Sequence, residues 1–155
     1  MGRTTVLLAA GALAVTAGLT AAAPAMASSH ALPPAGQFKM CLKSDHSLCI
    51  RSNGTGNDTT VNSTSQSTWN INSAGCGGSQ VVNIQNQSGN YLRAKNAGDV
   101  QVSSTCDANS EWSTSLSGGV IVYTNVGTGG KLSVNSDTNG ATVYVGKSWL
   151  ITSLS

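Results

Sequence analysis

The chain is poor in charge. Only 9% of its 155 residues are Asp, Glu, Lys or Arg, and the formal net charge is +2. So weak a field excludes the basic footprint of a nucleic-acid binder and the polybasic anchor of a membrane-surface protein. Histidine is nearly missing. His30 falls in an N-terminal tail and His46 in a turn, and although Asp45-His46-Ser47 carries the letters of a catalytic triad, neighbours in one turn cannot adopt a geometry that recruits separate elements. The six acidic residues are scattered, with no pair placed to share a glycosidase-like cleft. No Gly-rich phosphate loop follows a strand and opens a helix. The four cysteines contain no CxxC, and neither histidine has a second cysteine at ligand spacing, which argues against a metal site or a redox pair. These absences read as a non-enzyme that uses no cofactor and no metal.

What is present begins with an export signal. Arg3 supplies a positive start, Val6 to Ala23 an apolar stretch, and Ala25-Met26-Ala27 small residues at the positions a signal peptidase reads. The apolar stretch is long enough to be read as a transmembrane helix. Its composition, its position and the cleavage motif favour a signal peptide over residues 1–27, removed before Ser28, and hence a secreted, extracellular protein without a membrane anchor. Residues 28–37 form an extended tail. Within it Leu32, Pro33 and Pro34 are a candidate docking peptide, because proline lowers the ordering cost of an extended ligand.

In an exported chain four cysteines read as two disulfides, for which three connectivities exist. Cys41 and Cys49 flank a turn that a hairpin would close, so they are paired first. Cys76 and Cys106 follow by elimination.

Helical periodicity is absent beyond the tail. Alternating apolar runs recur instead, each with an apolar anchor followed ten positions later by a leucine: Phe38 to Leu48, Val82 to Leu92, and Val122 to Leu132. Period-two runs bounded by Gly, Asn, Asp and Ser are half-buried antiparallel strands joined by hairpins. A third strand follows in each copy at Thr60-Val61, Val100-Val102 and Val143-Val145. A tryptophan opens the fourth at Trp69, Trp112 and Trp149. Such self-similarity marks one supersecondary unit copied three times, each copy unable to bury its apolar face alone. Recurrence at equivalent positions makes the tryptophans core residues rather than sugar platforms.

Twelve short strands in three equal units resemble a β-trefoil, an all-β fold in which a six-stranded barrel is closed at one end by three hairpins. The resemblance covers residues 38–155, in copies of about 38–73, 80–116 and 120–155. Ricin-B-like trefoils carry Gln-x-Trp in each copy. Here Gln66-Ser67-Thr68-Trp69 sets the glutamine one place too far, and Asn109-Ser110-Glu111-Trp112 and Gly146-Lys147-Ser148-Trp149 lack it. The stretch Gly89-Asn90-Tyr91-Leu92-Arg93-Ala94, with Gly98-Asp99-Val100-Gln101-Val102, is more similar to fascin-like trefoils.

A ricin-type sugar site implies an acid, an aromatic platform and an asparagine. Copy three comes nearest to it, with Asp137, Asn139 and Tyr144, although Tyr144 between Val143 and Val145 points to the opposite sheet face from them. Copy two offers Asp99, with no aromatic following. The Asn-x-Ser/Thr sequons at Asn53, Asn57, Asn62 and Asn86 read as surface-loop markers, and Asn53 to Asp58 as a mobile loop. Because the sugar positions are largely empty, the favoured reading is a secreted, monomeric binding module that docks onto an extracellular protein partner as an accessory or adaptor subunit. The alternative is a lectin-like module that recognises glycans.

Overall fold

The computed structural model describes residues 35–154 apart from 74, 96, 97, 149 and 150. The proposed signal peptide, Leu32, Pro33, Pro34 and Trp149 therefore lie outside the described residues. The first copy contributes β1 (Gly36–Leu42), β2 (Cys49–Arg51), β3 (Thr60–Asn62) and β4 (Trp69–Asn72). The second contributes β5 (Val82–Gln85), β6 (Tyr91–Ala94), β7 (Val100–Ser103) and β8 (Glu111–Ser117), with a single 3-10 turn, Ala108–Ser110, before β8. The third contributes β9 (Val120–Asn125), β10 (Lys131–Val134), β11 (Val143–Gly146) and β12 (Ile151–Leu154).

The first and fourth strands of the copies form a ring. Antiparallel ladders join β1 to β4, β4 to β5, β5 to β8, β8 to β9, and β12 back to β1. Between β9 and β12 the Thr152 hydroxyl donates to the Ile121 carbonyl at 3.0 Å. The hairpins β2–β3, β6–β7 and β10–β11 cap the ring and hold one another through their backbones. Thr59 N–H donates to Val100 C=O (2.8 Å), Val145 N–H to Gly98 C=O (2.7 Å) and Val143 N–H to Thr59 C=O (3.0 Å). Each cap thus touches both others about a pseudo-threefold axis. The fold is a β-trefoil.

The repeated anchor has a structural meaning. Phe38 stands opposite Trp69 across β1 and β4, and Val82 opposite Trp112 across β5 and β8. Both indoles are fully buried, and their N–H groups donate to carbonyls in their own copy's second strand, Ile50 at 3.4 Å and Leu92 at 3.0 Å. An indole can be buried without penalty only when that donor finds a partner. These two tryptophans join Met40, Leu42, Ile71, Ile84, Tyr123, Leu132 and Ile151 in one core.

Both disulfides occur as read. Cys41 and Cys49 are register partners across β1 and β2, and Cys76 bonds Cys106. Three features differ from the sequence reading. Gly36 and Gln37, read as the end of the extended tail, begin β1 and pair with Ile71 and Asn70 of β4. The fourth strand of copy two, read only from its opening tryptophan, spans Glu111 to Ser117. It meets β9 through Gly118 and Gly119, at φ +60° and +82°, the two left-handed residues that a tight hairpin requires. The Asn53–Asp58 loop, expected to be mobile, is stitched to copy two. Gly56 N–H donates to Val102 C=O at 2.7 Å, Val102 N–H to Asn57 C=O at 3.2 Å, and Asp58 pairs with Lys95.

Candidate functional site

The structure separates the three residues read as a sugar constellation. Asp137 accepts a hydrogen bond from the Ser44 hydroxyl at 2.9 Å, and Asn139 accepts one from Ser63 N–H at 3.1 Å. Both side chains fasten copy three to copy one. The cause is local. Asn135 and Thr142 close the β10–β11 loop on each other, with Thr142 N–H donating to the Asn135 carboxamide and Asn135 N–H to Thr142 C=O, so the intervening residues are carried outward.

Tyr144 acquires different neighbours. It lines a hollow of about 180 Å³ with Gly98, Asp99, Asn135, Thr142 and Val145. Asp99 forms an antiparallel bridge with Tyr144, placed there by the bond from Val145 N–H to Gly98 C=O. The tyrosine ring packs over Gly146, where an added Cβ would stand 2.7 Å from a ring carbon. Any side chain at 146 would push the ring away. The Asp99 carboxylate makes no hydrogen bond among the described residues, while Asn135 holds Thr142 through its oxygen and keeps its amide N–H groups free among them. An aromatic face, an acid and an amide donor therefore converge across the second and third copies. Sequence reasoning dismissed Asp99 for lack of a following aromatic within its own copy. The missing signal was the cap-to-cap contact, which only the threefold arrangement supplies.

A larger hollow, about 280 Å³, opens at the seam of copies one and two. Its lining is Ser52, Gln66, Ser67, Thr68, Asn86, Gln87 and Ser88, neutral polar groups throughout. Ser52 N–H donates to the Ser67 hydroxyl at 2.8 Å, and the Asn86 carboxamide accepts from Ser88 N–H and Asn90 N–H, each at 3.0 Å. The wall is therefore pre-formed. None of its residues was singled out as a ligand contact from the sequence.

Charged side chains sit elsewhere. Arg93 forks onto Asp107, with Nη2 to Oδ2 at 2.6 Å, and Asp107 also caps the 3-10 turn by accepting from Asn109 N–H. The guanidinium bond holds the Asp107 carboxyl below the usual carboxylate range. Glu111 is buried beneath Gly75 and Gly78 and accepts from Gly78 N–H at 2.9 Å. Among the described residues no group of three or more His, Cys, Asp or Glu side chains is placed to hold a metal ion.

No protein-family model and no curated protein matches the chain. Solved structures do. A mosquitocidal holotoxin superposes with a TM-score of 0.65 at 15% identity, over 79% of this chain and 18% of the toxin. ThreeFoil, a designed threefold-symmetric protein, gives 0.63 at 19% identity, over 76% of this chain and 99% of the design. A Polyporus squamosus lectin, solved with the glycan Neu5Aca2-6Galb1-4GlcNAc, gives 0.63 at 13% identity, over 80% of this chain and 49% of the lectin. The chain thus spans only a fifth of the toxin and half of the lectin. At these identities the likeness is one of fold, and the match to a threefold-symmetric design agrees with the pseudo-symmetry of the ring and caps.

Proposed function

We propose that the protein is a secreted, non-catalytic carbohydrate-binding module whose sugar cleft is the Tyr144–Asp99 hollow. The observation that carries this reading is the convergence of the Tyr144 ring with a carboxylate and an amide donor from two different copies, both without a hydrogen-bond partner among the described residues. A pyranose has an apolar face and a rim of hydroxyls. The ring would cover the first, and Asp99 and Asn135 would accept from and donate to the second. Fold likeness to a glycan-bound lectin supports the reading by analogy. Two disulfides and a surface of neutral polar groups suit life outside the cell. The adaptor reading rested on Leu32, Pro33 and Pro34, outside the described residues, and on the supposed lack of a sugar constellation; the second ground goes once Asp99 joins Tyr144.

The test is a glycan array probed with the mature protein and with Tyr144→Ala and Asp99→Ala. A defined glycan signal lost in both variants, with thermal unfolding unchanged, supports the proposal. A silent array, or a signal indifferent to both substitutions, overturns it.

A further inference from the structure

The seam hollow between copies one and two is unlike the Tyr144 cleft in place and chemistry. Its position recurs at the second seam, where it is filled. Counting back from the tryptophans, Asn109 stands where Gln66 does. Counting forward from the anchors, Gly127 stands where Gln87 does. At the second seam Asn109 occupies the space over Gly127 so closely that an added Cβ would lie 1.8 Å from its carboxamide oxygen. The Asn125 amide ties down the Asn109 carbonyl at 2.8 Å. At the third seam Ser44 and Asp137 bond across copies one and three. At the first seam Gln66 is turned aside onto the Ser47 carbonyl, and the space stays open.

The open wall still has hydrogen-bonding capacity. The Thr68 hydroxyl and the Gln87 carboxamide have no partner among the described residues, and the Asn86 amide reaches Ser52 only at 3.4 Å. Hydroxyls and carboxamides both donate and accept, as the hydroxyls of a sugar do. A charged ligand would find no counter-charge in the lining, and an apolar one would strand its polar groups. An extended peptide is recognised through a free strand edge or side-chain pockets, whereas these residues come from loops and a turn. We infer that this hollow is a second saccharide site, selective for neutral sugars and bound by hydrogen bonds rather than by stacking. With the Tyr144 cleft it would make the chain bivalent, raising avidity for surfaces that display several glycans.

The experiment is a ¹⁵N–¹H NMR titration of the Tyr144→Ala protein, which removes the aromatic cleft, with glucose, galactose and N-acetylglucosamine. At least one sugar should move the amide signals of Ser52, Ser67, Gln87 and Ser88 saturably, while sialic acid does not. Gln87→Ala and Thr68→Val should each weaken that binding about tenfold, the cost of one lost hydrogen bond. The inference is overturned if none of the three sugars moves these signals, if sialic acid moves them equally, or if a tetraglycine peptide moves them instead. Because the Tyr144 cleft is absent from this variant, either result is independent of the reading of that cleft.

Discussion

The seam between copies one and two and the seam between copies two and three use the same backbone positions and reach opposite ends. In the second seam, a glycine at 127 lets Asn109 press in, and the approach to β8 is drawn tight by Asp107, Arg93 and the buried Glu111. In the first, Gln87 replaces the glycine, Thr68 replaces the acid, and a polar hollow persists. The backbone can repeat almost without change while a few side chains decide whether a seam is filled or open. Symmetry thus supplies equivalent places, and departures from symmetry make one of them different.

Substitutions can break the comparison at several depths. The largest effect belongs to what the two seams share. Trp69→Ala and Trp112→Ala should each lower unfolding free energy by about 3–5 kcal/mol in denaturant titrations, since each empties a fully buried indole site. Survival of either variant with an unchanged midpoint would remove the indoles from the core account. Next comes Gly127→Ala, which must displace Asn109 and should cost about 1–3 kcal/mol. The equivalent Gln87→Ala, at an exposed position, should stay within about 0.5 kcal/mol. Adding Asn109→Ala to Gly127→Ala should recover part of the loss, and an additive double variant would deny the contact.

Acid should sharpen the contrast more gently. The Asp107 carboxyl titrates below its unfolded value because Arg93 bonds its charged form. Its contribution is therefore complete above the unfolded pKa and is lost as pH falls through the lower, folded one. With 37% of the Asp107 side chain exposed, solvent screening keeps that contribution small. Hydrogen exchange at the 3-10 turn and β8 should accelerate on acidification, and Arg93→Gln should weaken that pH dependence, leaving the part due to the Asn109 N–H and Ser110 hydroxyl bonds. The first seam, whose lining holds no ionisable side chain, should show no such change. Equal acid sensitivity at the two seams would contradict the assignment.

Much of the fold could be read along the chain because its determinants are local. The ten-residue spacing from anchor to leucine is a strand, a turn and a strand, and Cys41 faces Cys49 for the same reason. The run through Ser115, Leu116 and Ser117 escaped notice because its ladder is recognised only with β9 opposite, and Leu116 is largely exposed. The candidate sites were less legible. Tyr144 was visible as an aromatic between two valines, but its companions were sought within its own copy, where Asp137 and Asn139 turn out to bind Ser44 and Ser63. Asp99 reaches it through contact between caps. The seam hollow was hidden further, since its walls come from three separate segments and none carries an unusual residue.

The cleft itself is tested most directly by a crystal structure of the protein soaked with the glycan it captures from an array. The sugar ring should lie against Tyr144, with hydroxyls in hydrogen-bond reach of Asp99 and Asn135. A glycan seated elsewhere, with the Tyr144 face bare, would contradict the account.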